Sequence, residues 1–166
     1  AATLEDVEIQ NNPTKKYSSL DFAGIETVTS PIDLEAADMT YLHIDFWTQN
    51  STAFRIKLVD FGGDGYGGGN DTEFELEFTP ELLGWNSLDI SLLDFEGMNM
   101  SDINQFIISS NPSGESTMYI DNVYYFKNPV GLSESSSIEF NIYPNPTSDF
   151  WYINTENKIH EVQIID

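Results

Sequence analysis

Short runs of alternating apolar and polar residues, separated by clusters of Gly, Pro, Asn and Asp, dominate this chain. A period of two is the mark of half-buried β-strands, because successive side chains on a strand point to opposite faces. The clearest runs are 40–48, 53–61, 72–79, 85–92, 105–109 and 117–127. No segment keeps a 3.6-residue apolar period through three turns, so no long helix is expected. Ser101 to Gln105 predicts a single helical turn, with Ser101 as its cap. Strands of this number and spacing predict an all-β chain folded as an antiparallel β-sandwich. A jelly roll is the version that suits long strands with one long Gly-rich connection.

The same alternation assigns faces. In the first strong run Leu42, Ile44 and Phe46 point one way and Tyr41, His43, Asp45 and Trp47 the other. In the next, Phe54, Ile56 and Leu58 face the core, leaving Arg55, Lys57 and Val59 on the opposite side. If the two strands are neighbours, Tyr41, His43, Trp47, Arg55 and Lys57 form one aromatic and polar surface. Such a surface suits a sugar, whose C–H faces stack on aromatic rings while its hydroxyls bond to planar polar groups. The competing reading is an ordinary solvated face with an interspersed Trp. Trp85 and Tyr66 are further candidates, Trp85 at a strand opening where it serves equally as a lid on the core, Tyr66 in a loop.

The pattern changes near Asn128. Residues 1–127 read as one sandwich domain, 128–139 (NPVGLSESSSIE) as a Pro-, Gly- and Ser-rich linker, and 140–166 as a second, incomplete pattern. Hydrophobic residues make up 40% and aromatics 13%, enough to build a core. Charge then narrows the partners. The 166 residues include 28 acids and six bases, a net charge of −22, and 22 of those acids with five of the bases lie in 1–127. A surface so negative repels phosphate backbones, anionic membranes and sulfated or uronate-rich polymers, leaving neutral ligands and divalent cations. Against that background Arg55 and Lys57 stand out by position. No apolar run approaches the roughly 20 residues that span a bilayer. Neither a basic nor an apolar leader follows Ala1, as expected of a mature, soluble segment. With no Cys, disulfides, thiolate metal sites and Cys nucleophiles are excluded.

Four constellations invite chemistry. Glu73, Glu75 and Glu77 alternate on one strand face about 7 Å apart, a spacing that permits a glycosidase pair, although any half-solvated strand carries such a row. Gly63, Gly65 and Gly68 formally satisfy a dinucleotide motif, but a strand follows where a helix is needed, so the loop 61–71 reads as a long hairpin loop. His43 and His160 are the only histidines, and neither sits in a zinc or nucleophile-elbow motif. Asp121, in YIDNVYYF, falls where alternation slips, a position that suits either a structural Ca²⁺ ligand or a turn-capping carboxylate.

Two stretches resemble known families. FNIYPNPTSDFWYI, with Tyr143, Pro144, Asn145, Pro146 and Thr147, resembles the opening of the C-terminal sorting domain of the type IX (Por) secretion system of Bacteroidetes. FRIKLVDFG (54–62), GWNSLDISLLDFEG (84–97) and STMYIDNVYYF (116–126) resemble the galactose-binding-like, jelly-roll carbohydrate-binding modules appended to secreted glycoside hydrolases, laminarinase-type enzymes included. The first resemblance implies export by the type IX machinery to the medium or cell surface. The second implies a non-catalytic module, covalently linked to a glycoside hydrolase, that binds a neutral polysaccharide, with laminarin-type β-1,3-glucan first among β-glucans. It also implies a structural calcium with Asp121 as a ligand. The alternatives are a small β-sandwich hydrolase or lyase using Glu73, Glu75 and Glu77, or His43 with Tyr41, and a surface adhesion module.

Overall fold

The computed structural model describes residues 2–127 and the strand backbones of 141–143 and 152–154. The chain divides into two compact units, 1–128 and 129–166. In the second, β10 (Asn141–Tyr143) pairs antiparallel with β11 (Tyr152–Asn154). The linker 128–139 and, in the sorting-domain stretch, residues 140, 144–151 and 155–166 lie outside the described residues.

The first unit contains nine strands in two antiparallel sheets. They are β1 (Thr3–Ile9), β2 (Asn12–Leu20), β3 (Phe22–Glu26), β4 (Tyr41–Thr48), β5 (Ala53–Asp60), β6 (Thr72–Phe78), β7 (Trp85–Ser91), β8 (Ile103–Asn111) and β9 (Ser116–Phe126). One sheet has the order β1-β2-β9-β4-β7 and the other β3-β8-β5-β6. The predicted β-sandwich is the fold that forms. Its core lies between the inward faces, where Leu42, Ile44, Phe46, Met118 and Ile120 of one sheet meet Phe54, Ile56, Leu58 and Ile108 of the other. The rings of Phe46 and Phe54 lie 4.3 Å apart.

Three strands before residue 40 escaped the alternation. β1 and β2 form a hairpin whose Gln10 and Asn11 both have positive φ, as a two-residue primed turn requires. The residues of β1 are mostly exposed, so acids occur at Glu5, Asp6 and Glu8 without regard to face. The helical turn expected at Ser101 does not form. Ile103 already pairs with Ile32 and with Asp60 of β5, and ladder bonds take the backbone groups that a turn would have used. A 3-10 turn sits instead at Leu92–Asp94, where the Ser91 hydroxyl accepts from the Leu93 N–H at 3.3 Å.

Two local features position the outer faces. The first is the connection from β4 to β5, which crosses from one sheet to the other. Buried Thr48 donates its hydroxyl to the Thr117 carbonyl at 2.9 Å and accepts from the Ser51 N–H at 3.1 Å. Asn50 ties the same arch to Glu115 and Thr117. These bonds hold β4 and β5 back to back across the core, so the two strands are not the neighbours the joint surface needed. The second is a bulge in β9: His43 pairs with Tyr124 but Asp45 with Asp121, leaving Asn122 and Val123 opposite the single residue Ile44. Asn122 takes the positive φ of 50° there. An extra residue reverses the alternation beyond it. Tyr124 and Phe126 therefore join Tyr119 and Asp121 on the outer face, while Tyr125 turns toward the core.

Candidate functional site

The outer face of β7, β4 and β9 collects the aromatic side chains. Cross-strand pairing sets Trp47 opposite Trp85 on one side and Tyr119 on the other. The rings of Trp47 and Tyr119 meet edge to face with centroids 5.4 Å apart. Trp85 is 46% exposed on its edge strand, an open ring surface rather than a lid on the core. Six residues back along β4, about 20 Å at the rise of a strand, lies a second cluster. There Tyr41 stacks on Phe126 with centroids at 5.3 Å, and Phe126 touches Tyr124 at 5.9 Å.

Between the clusters the face is polar. His43 stacks on Tyr124 at 4.7 Å, its Nδ1 2.6 Å from Asp89 and its Nε2 3.3 Å from Asp45. Asn122, turned outward by the bulge, donates to Asp45 at 2.7 Å. Partial burial alone would push the Asp45 carboxyl up. Hydrogen bonds from Asn122 and Ser87, with His43 beside it, outweigh burial and hold it below the usual aspartate value. Asp45, Asp121, Asn122 and Trp85 line a cleft of about 410 Å³ together with Asn12 and Gln10 of the β1–β2 turn. The face thus offers ring surfaces at two ends and hydrogen-bond acceptors between them.

Arg55 and Lys57 are on the opposite side of the sandwich. They project from β5 beside β6, where Arg55 binds Glu77 at 2.6 Å and Lys57 binds Glu73 at 3.1 Å. Glu75 lies 3.8 Å from Arg55. The cations that stood out in an acidic chain are partners of the glutamate row, and each explains the other: a charged ladder on the edge strand of a sheet. All five cations of the described residues are so engaged, Lys15 with Asp6, Lys16 with Glu5 and Lys127 with Asp38 completing the set.

Tyr66 is also remote from the aromatic face. It sits 85% exposed in the loop that joins the β5–β6 hairpin, with its ring edge-on to Phe61 at 5.5 Å. Asp60 and Asp71 pin that loop by accepting from the main-chain N–H groups of Gly62 and Gly67. Its glycines close a hairpin loop and open no helix.

Asp121 stands at the bulge of β9, opposite Asp45. Its carboxylate accepts from the Asn12 side chain and from the Asn122 N–H at 2.8 Å, tying the β1–β2 turn to the bulge. No group of three or more His, Asp or Glu side chains placed to hold a metal ion occurs among the described residues.

Comparison with known proteins agrees on architecture. No protein-family model matches the chain, and no curated protein does. Among solved structures, the chain is similar to the family 30 carbohydrate-binding module of the cellulosomal cellulase Cel9D-Cel44B of Clostridium thermocellum. The TM-score is 0.59 at 14% identity, over 78% of this chain and 83% of that one. It is also similar to the family 11 carbohydrate-binding module of the same organism, in complex with a β-1,3-1,4-mixed-linked tetrasaccharide. There the TM-score is 0.57 at 12% identity, over 76% and 83%. An exo-β-agarase matches with a TM-score of 0.52 at 16% identity, over 78% of this chain and 22% of the enzyme. The chain shares the fold of these modules. At such identities the likeness is one of architecture. Among the described residues, no helix is long and apolar enough to cross a membrane.

Proposed function

We propose that residues 1–127 are a non-catalytic carbohydrate-binding module that holds a secreted glycoside hydrolase on a neutral polysaccharide, a β-glucan of the laminarin type first. One observation carries the reading: two aromatic clusters on one outer sheet face, about 20 Å apart by strand rise, with a row of acceptors between them. Rings at that separation stack on sugars well apart in one chain, and Asp45, Asp89 and Asp121 accept hydrogen bonds from hydroxyls between them. The same carboxylates repel uronates and sulfates, which keeps the choice with neutral glycans. The mixed-linkage glucan held by the similar family 11 module supports a β-glucan as the first class to test. Linkage to a catalytic domain would raise that domain's local concentration on the polymer. Export through the type IX machinery rests on the resemblance of residues 140–166.

A hydrolase built on Glu73, Glu75 and Glu77 is the weaker reading, because Arg55 and Lys57 form ion pairs with that row on the face away from the aromatic clusters. Native affinity electrophoresis in gels containing laminarin, mixed-linkage β-glucan, agarose or alginate tests the proposal. Retardation by one or both glucans, with none by alginate, is expected. Free migration in every gel would defeat it, as would release of reducing ends by the isolated chain.

A further inference from the structure

The turn between β6 and β7 places a leucine where the backbone favours glycine. Leu83 has a φ of +63°, a left-handed conformation that costs a residue bearing a side chain on the order of 1–2 kcal/mol. Its side chain is 71% exposed, so burial does not offset that cost. The conformation is imposed from outside. The Leu83 N–H donates to the Thr48 carbonyl at 2.8 Å. The Asn86 side chain accepts from the Glu81 N–H at 2.7 Å and donates to the carbonyls of Glu81 at 2.9 Å and Gly84 at 3.3 Å. Leu82 is exposed as well.

Position gives this outlier its meaning. Thr48, which accepts from Leu83, directly follows Trp47, and Trp85 directly follows Gly84. The turn is therefore anchored on both sides to the Trp47–Trp85 pair. A rigid turn that carries two exposed leucines within three residues of an open tryptophan is a preorganised apolar segment, for which the ordering cost is met before any ligand arrives. We propose that Leu83, with Leu82, is a glycan-contacting residue that extends the tryptophan platform and packs on the C–H face of a polysaccharide chain passing over Trp85. The inference rests on the reading of the β7–β4–β9 face as the glycan site.

Leu83→Gly tests it, since glycine accepts the same φ without strain and removes only the side chain. In gels containing laminarin or mixed-linkage β-glucan, the variant is expected to bind with a Kd roughly fivefold weaker, as loss of about half a leucine's burial implies. Its melting temperature should equal or exceed that of the parent chain. Leu83→Asn, which also tolerates the conformation, should weaken binding similarly. Undiminished retardation of both variants would overturn the assignment, and so would a melting temperature lowered by several degrees, which would make Leu83 structural. If Trp47→Ala abolishes retardation while Leu83→Gly leaves it intact, the turn alone is misassigned. If the parent chain migrates freely in both glucan gels, the reading of the face fails and the turn's role with it.

Discussion

On β4 the outward residues are Tyr41, His43, Asp45 and Trp47, and on β5, the next strand along the chain, they begin with Arg55 and Lys57. β4 alternates throughout and β5 from Phe54 to Leu58, and both contribute their inward apolar residues to the same core. Their outer faces nevertheless meet different neighbours. β4 lies between β7 and β9, which bring Trp85, Tyr119, Tyr124 and Phe126, so its face carries two aromatic clusters with a polar stretch between them. β5 lies beside β6, which brings Glu73, Glu75 and Glu77, so its face becomes an ion-pair ladder at an acidic edge. What an outward residue can do is decided by the strand beside it more than by its own sequence.

Trp47→Ala breaks the aromatic side of that contrast and carries the largest expected effect. A central, partly buried ring in a stacking platform behaves as a hot spot, worth about 2 kcal/mol or some 30-fold in Kd. Retardation on laminarin should be lost while circular dichroism keeps its β signature. Unchanged binding would move the site off this face.

How much of this could be read beforehand differs between the two faces. The core sides of β4 and β5 were legible because burial enforces the period of two. Alternation sets Arg55 and Lys57 beside Tyr41 and Trp47 only if these consecutive strands pair, as consecutive strands often do. The crossing that separates them depends on Thr48 and Asn50, ordinary polar residues whose hydrogen bonds to Thr117 and Glu115 reach 65 residues and more along the chain, with Ser51 held locally to Thr48. Tyr124 and Phe126 were missed for a related reason. A slip of alternation near Asp121 was visible, yet its consequence, the reversal of every later residue, follows only from the bulge against Ile44. Glu73, Glu75 and Glu77 were rightly seen as one row, and only the register of β6 on β5 shows their partners.

Tyr125→Phe sharpens the bulge side of the comparison. Burial pushes the Tyr125 phenol up to about 12 from an ordinary 10.0. The unfolded chain therefore loses this proton at lower pH than the folded one, and stability present below pH 10 is lost as pH rises from 10 towards 12. At pH 11 the phenylalanine variant should gain on the parent by about 1 kcal/mol relative to their difference at pH 8, measured by urea unfolding. A pH-independent difference would put Tyr125 outside the core and remove the bulge's reversal.

Asn122→Gly keeps the positive φ and deletes the amide that steadies Asp45. Because the folded Asp45 carboxyl is held below its ordinary 3.8, the stability it contributes is present above that pH and fades as pH falls further. The variant should be less stable than the parent by up to about 1 kcal/mol at neutral pH, the worth of one such hydrogen bond. That gap should narrow below pH 3.8, and a gap that is constant through acid would mean Asn122 does not act on Asp45.

The smallest effect belongs to the charged face. Arg55→Met retains an unbranched apolar stem while leaving Glu77 and Glu75 without their cation. Exposed pairs of this kind contribute about 0.2–1 kcal/mol and are screened by salt. Unfolding midpoints should therefore drop slightly at low ionic strength and converge with the parent in 1 M salt, where the screening length falls to about 3 Å. Retardation on laminarin should not change, because the ladder lies across the core from the aromatic surface. Should Arg55→Met weaken binding as much as Trp47→Ala does, the two faces act together after all, and the glycan would have to reach around the β6–β7 edge to touch both.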